Sequence, residues 1–343
     1  KPERWKASDA FLAVYQVHRI LSSSGLEGLR ALFDYTDSPP SAIEIFDKNG
    51  LVAPPIIAPT GDESVLQPTA PFKDRAFSNS WTLSGDHTDS GKPLMANDPH
   101  LAQTTPGFWQ LQHHTVDGRM AAGGSLPGVP GIIVGHNSNL AWGVTAAGID
   151  VRDYAYVEVH PENPDRYRRG PNEPWQDFDL RVEKIHVRFG KDLTETIRST
   201  TQGVSTPPLL GTFGMLDREG LALEIRDVAT DQVSTSPVAL LRLHRAGTVD
   251  EGIQAGEAFT SPALNISLAD TDGAIGYVTV VRIPLRPEEY ARTVDLGPAD
   301  GNERTYLPYP QNPRVVNPSS GRIVTANQRI IGKEYPHYLT DNW

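Results

Sequence analysis

From Ser78 onward the chain is a succession of short apolar runs, each closed by Gly, Pro, Asp or Asn. Among them are SWTLS, FWQLQHHTV, GIIVG, LAWGVTA, YAYVEV, EKIHVRF and LNISLADTDGAIGYVTV. Runs of this length suit strands better than helices. The last one carries Asp272-Gly273 between two apolar halves, a strong hairpin signal. The sequence has 30 Gly and 29 Pro in 343 residues, composition that fits a loop-rich globular protein. The expectation is one antiparallel-rich α+β domain over residues 78–343. SPVALLRLHRAG is the one clear helix within it.

Residues 1–35 have a different texture. SDAFLAVYQVHRIL places Phe11, Val14, Tyr15 and Leu21 at helical spacing behind Ser8, and GLEGLRALF repeats the pattern with Leu26, Leu29 and Phe33. Residues 36–77 turn polar, with seven prolines between Pro39 and Pro71, which is linker composition. The change at Phe77–Ser78 is abrupt. KPERW at one end and LTDNW at the other read like internal text, without leader or cap, so the domain is expected to be truncated at both ends.

Composition excludes several functions. The net charge is −11 and no Lys/Arg run offsets it, which argues against a nucleic-acid partner. No apolar run reaches membrane-spanning length. Zero cysteines remove disulfides, thiolate nucleophiles and Cys-bound zinc together. There is no G-x-S-x-G elbow, S-x-x-K, H-E-x-x-H, Walker loop or G-x-G-x-x-G. A Ser-His-Asp triad stays open, since its members need not be close in sequence.

A serine can also be activated without histidine. If the Phe77–Ser78 bond is cut, Ser78 carries a free α-amine beside its own hydroxyl. Such an amine titrates near roughly pH 7.7–8.0, so a useful fraction is neutral and can act as general base. That chemistry needs an exposed linker before the serine and a strand after it, and the sequence supplies both.

The ordered series SNSW, LMANDPHL, GGSLPGVPGIIVGHNSNLAWGVTAAGIDVRDYAYVEV, LNISLADTDGAIGYV, RIPLR and NPSSGRIVTAN resembles the penicillin acylase family of N-terminal nucleophile hydrolases. The resemblance runs from residue 78 to about 330, and residues 1–35 resemble the end of an α-subunit. It implies an αββα sandwich, two stacked antiparallel sheets covered by helices. It also implies a precursor that cuts itself between Phe77 and Ser78 into an α/β heterodimer. The activity implied is hydrolysis of small-molecule N-acyl amides, such as a β-lactam side chain or an acyl-homoserine lactone. Periplasmic or extracellular location is implied too.

Residue by residue, the resemblance makes Ser78 nucleophile and base, with Ala146 supplying a backbone N–H and Asn265 a side-chain amide to an oxyanion hole. His100 would position the Ser78 amine; the alternative is a turn histidine after Asp98-Pro99. Arg286 would hold Asn265 and the amine, or else be a surface charge. Leu101 and Ile133 fall where relatives line an apolar acyl pocket. Asp150 and Asp153, with the Arg152 carbonyl between them, match a structural Ca²⁺ site; a solvated acidic turn is the alternative. No organic cofactor is implied. Two rival functions remain: a processing-defective relative that binds ligand without turnover, and a conventional Ser-His-Asp hydrolase active as an uncut chain.

Overall fold

Seventeen strands form three wholly antiparallel sheets in the computed structural model, which describes residues 6, 12–15, 17, 78–101, 105, 107–201, 203–205, 219–231, 233–286, 304–332 and 334–340. The central sheet holds β3 (Gln110–Val116), β4 (Arg119–Ser125), β5 (Val134–Asn137), β6 (Leu140–Ala146), β14 (Leu264–Asp270), β15 (Ile275–Val280) and β16 (Arg314–Val316). Its order is β16-β15-β14-β6-β5-β4-β3. The expected Asp272-Gly273 hairpin joins β14 to β15, with Leu264 opposite Val280. Gly273 supplies the turn's positive φ of 109°.

Strands β14 and β15 are buried along their whole length, because both faces of this sheet are covered. Ile266, Leu268, Val278 and Val280 face a first core. It is closed by α2 (Ser236–Leu243) and α3 (Val249–Ala255). The short helix α1 (Val228–Asp231) precedes them. Residues 12–15 and 17, helical as expected, pack Ala13, Val14 and Val17 onto the same core. On the opposite face Ile275, Tyr277 and Ala269 join a second core with Ile323 and Met95. Those last two belong to a three-stranded sheet of order β17-β1-β2, made of β1 (Ser78–Leu83), β2 (Leu94–Pro99) and β17 (Arg322–Thr325).

Helix, sheet and sheet are thus stacked in order, the α+β sandwich expected. The second helix read from the sequence and the linker over 36–77 lie outside the described residues. Helix α3 was not expected. Its sequence VDEGIQA carries a mid-helix glycine that weakens the pattern. The glycine sits where packing is tight, since a Cβ on Gly252 would meet the Leu268 side chain at 3.0 Å and that of Leu140 at 3.1 Å. Thr248 caps the helix by accepting the Glu251 N–H at 3.2 Å, and Asp270 at the end of β14 accepts the Val249 N–H at 2.9 Å.

The third sheet runs β10-β11-β12-β13-β7-β8-β9. Its strands are β7 (Arg152–His160), β8 (Asn163–Arg168), β9 (Gln176–Asp177), β10 (Asp179–Ile185), β11 (Leu193–Ser199), β12 (Val204–Ser205) and β13 (Leu221–Asp227). It leaves β6 through the loop carrying Asp150, so the start of β7 lies close to the candidate site.

Candidate active site

Ser78 is the first residue of β1 and is buried. It pairs with Pro99 on one side. On the other side the β1–β17 register, Ser80 opposite Thr325, brings Asn327 level with it just past the strand end. Asn327 adopts a left-handed φ of 63°, a conformation that Asn tolerates better than most residues. Its Oδ1 accepts the Ser78 N–H at 2.6 Å. Its Nδ2 donates to the Ala146 carbonyl at 2.9 Å. One side chain therefore joins the candidate nucleophile to the carbonyl of Ala146, the residue whose N–H is the candidate oxyanion donor.

The direction of the Ala146 N–H follows from ladder geometry. The Ala147 N–H bonds the Ala263 carbonyl at 3.1 Å. Bonded and non-bonded pairs alternate along an antiparallel ladder, so the Ala146–Leu264 pair is non-bonded. The Ala146 N–H therefore points away from β14. On that side β5 pairs with β6 only at Ala141 and Trp142. Beyond Trp142 a side chain stands in for the missing strand. Asn97 of β2 accepts the Val144 N–H at 3.1 Å and donates to the Val144 carbonyl at 2.9 Å. Gly143 permits this approach, because a Cβ there would lie 2.7 Å from the Asn97 side chain. Asn97 thus satisfies Val144 and Asn327 satisfies the Ala146 carbonyl, while the Ala146 N–H has no hydrogen-bond partner among the described residues.

Asn265 lies opposite Thr145 in the β14–β6 ladder and is buried. Its Nδ2 donates to Thr145 Oγ1 at 3.1 Å and, at a longer 3.3 Å, to the Ala146 carbonyl. Its Oδ1 accepts the Tyr277 hydroxyl at 2.6 Å. Both expected oxyanion donors, Ala146 and Asn265, are brought to one place beside the start of β1.

His100 sits one residue past the Ser78–Pro99 pair. Its half-exposed ring turns to Asp98 Oδ2 at 2.7 Å, so only its backbone runs near Ser78. Ile133 lines a cavity of about 50 Å³ together with Val14, Val17, Val144, Phe259 and Leu264. Val144 lies two residues before Ala146, and Leu264 is its ladder partner, so this apolar hollow adjoins the oxyanion peptide. Leu101 is half-buried beyond β2 and does not line it. Phe77 is outside the described residues.

Asp150, Arg152 and Asp153, the expected cation ligands, lie in a network of ion pairs. Asp153 gives one oxygen to Arg286 Nε at 2.7 Å and the other to Arg304 at 2.5 Å. Asp150 Oδ1 meets Arg286 at 3.2 Å and the Arg152 N–H at 3.2 Å. Arg304 also reaches Asp231 at 2.8 Å. The Arg152 guanidinium holds Asp227 at 2.6 Å. Burial alone would raise the Asp153 pKa, but Arg286 and Arg304 together outweigh it and hold the carboxyl below the usual carboxylate range. A Ca²⁺ ion needs six to eight oxygens, whereas these carboxylates already face guanidiniums. Among the described residues no group of three or more His, Asp or Glu could hold a metal. The carboxylates of Asp150 and Asp153 are thus engaged by guanidiniums in this arrangement. Arg286, expected to hold Asn265 and the amine, has Asp150 and Asp153 as partners; Asn265 has Tyr277 and Thr145.

Asn97, Asn327 and Tyr277 had no assigned role in the sequence. All three stand in motifs already singled out, LMANDPHL, NPSSGRIVTAN and LNISLADTDGAIGYV. A lone Asn after a strand otherwise reads only as a turn.

The whole chain, residues 1–343, matches the family described as penicillin amidase. It is 33% identical over 266 residues to the penicillin acylase 2 proenzyme of Pseudomonas sp. (strain SE83), covering 76% of this chain and 33% of that protein. It is 29% identical over 276 residues to the acyl-homoserine lactone acylase QuiP of Pseudomonas aeruginosa, covering 78% and 32%. Penicillin G acylase of Escherichia coli is 28% identical over 265 residues, with 76% and 29% covered. The chain therefore spans about a third of the length of these relatives. Among solved structures, a thermostable penicillin G acylase from Alcaligenes faecalis superposes with a TM-score of 0.65 at 24% identity, covering 76% of this chain and 46% of that one. At that identity the likeness establishes the fold. On the match of the full chain to the family, the protein belongs to the penicillin amidase family.

Proposed function

We propose that this chain carries the nucleophile and oxyanion hole of an amidohydrolase, with Ser78 exposed by self-cleavage after Phe77. The observation that carries the reading is the convergence on Ala146: its N–H faces away from β14 with no hydrogen-bond partner among the described residues, its carbonyl is tied to Asn327, and Asn327 holds the Ser78 nitrogen. Cleavage would turn that nitrogen into an amine without moving it. Asn327 Oδ1 accepts one amine hydrogen and so orients the lone pair.

In the reaction the neutral amine takes the proton from Ser78 Oγ, which attacks the carbonyl carbon of an N-acyl amide. The oxyanion that forms meets the Ala146 N–H and Asn265 Nδ2. The Asn265 hydrogen that rests on the Ala146 carbonyl at 3.3 Å is the weaker-held of its two, and the one able to turn to the substrate. The C–N bond then breaks as the ammonium proton passes to the leaving amine, and water repeats the sequence to release the acid. The cavity beside Val144 and Leu264 suits an apolar acyl group. Hydrolysis of small N-acyl amides also agrees with the relatives, which are named penicillin acylases and acyl-homoserine lactone acylases.

An α/β heterodimer cut from one precursor and a periplasmic or extracellular location belong to the same proposal. No helix among the described residues is long and apolar enough to cross a membrane. The conventional triad has less support. The His100–Asp98 and His186–Asp192 couples are exposed, and no hydrogen bond joins either to a serine among the described residues. The deciding measurement is intact mass with N-terminal sequencing of the complete expressed precursor. A β-chain beginning at Ser78, and a single uncut, inactive chain for Ser78→Ala, are expected. An active uncut enzyme would refute the mechanism.

A further inference from the structure

Asn265 can serve an oxyanion only if its nitrogen, not its oxygen, faces the reacting carbonyl. What fixes that choice is visible in the packing. Tyr277 lies on β15, opposite Ser267, with its whole side chain buried. It shares a sheet face with Asn265 and reaches it diagonally. Its hydroxyl stands 2.6 Å from Asn265 Oδ1 and 2.7 Å from Thr279 Oγ1.

Proton bookkeeping gives every bond in this group a direction. A carboxamide oxygen only accepts, so the phenol donates its one hydrogen to Asn265. The phenol oxygen then accepts from Thr279. Thr145 Oγ1 accepts from Asn265 Nδ2, so its own hydrogen is free for Thr325 Oγ1 at 3.0 Å. The chain runs Thr279 to Tyr277 to Asn265 to Thr145 to Thr325, from the central sheet across to β17. Flipping the amide would set Oδ1 against the Ala146 carbonyl oxygen, now 3.3 Å from Nδ2, and would deprive Oδ1 of the phenol hydrogen that now holds it, the hydroxyl having to turn to Thr279. Burial raises the phenol's pKa well above its ordinary value, which keeps it a neutral donor.

We propose that Tyr277 is a positioning residue for the reaction: its hydroxyl locks the Asn265 amide with Nδ2 toward the substrate. The inference rests on the reading that Ser78 attacks beside Asn265. Tyr277 touches no reacting atom, so it acts through Asn265 alone.

The test uses the complete, matured enzyme with Tyr277→Phe, which keeps the ring and removes the donor. Turnover should fall about tenfold, the scale of one neutral hydrogen bond, with KM within about twofold. Butylboronic acid, which forms a tetrahedral adduct on a serine oxygen, should bind about tenfold more weakly. In an Asn265→Ala background, Tyr277→Phe should cause no further loss of kcat. Unchanged kcat and boronate affinity would overturn the proposal, and so would an equal loss in both backgrounds. Peptide mapping of the wild-type adduct separates the two readings. An adduct away from Ser78 defeats both, whereas a Ser78 adduct insensitive to Tyr277→Phe defeats only this one. Should Tyr277→Phe stay uncut, Thr279→Val removes the donor that steadies the phenol. A normal kcat and boronate affinity in that matured variant would equally overturn the role.

Discussion

Two buried polar regions lie within a few residues of each other along the chain, and they are built from opposite materials. Around Ser78, Ala146 and Asn265 the partners are amides and hydroxyls, all neutral: Asn97, Asn327, Thr145, Tyr277 and Thr325. At the start of β7 the partners are ions, with Asp150, Asp153 and Asp231 against Arg286 and Arg304. The neutral region leaves a donor, the Ala146 N–H, without a strand to bond. In the ionic region both Asp153 oxygens are taken. A site that must receive a negative charge during turnover gains from fixed dipoles with an unfilled place. A staple gains from having none. The first region is therefore expected to govern rate and the second to govern stability.

The largest effect that would break this division is at Asn265. Asn265→Ala in the correctly cut enzyme should lower turnover on the order of 10²–10³-fold, about 3–4 kcal/mol of transition-state stabilisation. KM should move much less, because the ground-state carbonyl carries little charge. Steady-state kinetics on a small N-acyl substrate decides it, with Ser78 confirmed as the free terminus by mass. Near-normal kcat in that variant would make Asn265 a structural residue and merge the two regions into one.

Next in size is Arg304, whose side chain spans Asp153 and Asp231. Removing one partner of a buried ion pair leaves an uncompensated charge, a loss of roughly 3–5 kcal/mol in well-buried cases. Asp153 is partly exposed, so Arg304→Gln should fall below that range. A lowered melting temperature is expected with kcat of the surviving folded enzyme little changed. The pH dependence has a definite sign. Asp153 is held below its unfolded pKa of about 3.9, so its contribution is present above that pH and is lost as pH falls through the folded value. The melting-temperature gap between wild type and Arg304→Gln should therefore narrow below about pH 4. A gap that is constant from pH 7 to pH 3.5 would mean that the pair with Asp153 is not what Arg304 contributes.

The two regions also differ in how far they could be read from the sequence. Ser78 at a strand start, the Asp272-Gly273 hairpin and the helix over SPVALLRLHRAG are local signals, and all three stand where local chemistry puts them. Ala146 and Asn265 were found by resemblance, and the ladder places them together. Asn97 and Asn327 went unseen because their work depends on where β5 stops pairing and where β17 ends, which no window of sequence contains. The ionic staple was hidden for a similar reason. Asp153 and Arg286 are separated by 133 positions, and a D-x-x-D loop looks the same whether a cation or two arginines will face it.

The smallest expected effect, and the sharpest on the second region, is that of removing calcium. A site that binds an ion only in the folded state stabilises by about 2.7 kcal/mol when the ion is present at one hundred times its Kd. Chelation would remove that term and shift the melting temperature by a few degrees. Here the two guanidiniums already supply positive charge beside Asp150 and Asp153, and an added dication would have to displace them before it gained its oxygens. Melting of the complete, matured enzyme in excess EDTA and in millimolar Ca²⁺ should therefore coincide. Arg304→Gln sharpens the comparison. With one guanidinium gone, Asp153 and Asp231 regain free oxygens, and Ca²⁺ should raise the melting temperature of that variant though not of the wild type. A wild-type enzyme that loses several degrees in EDTA would show that the arginines yield to the ion, and that the staple is a metal site after all.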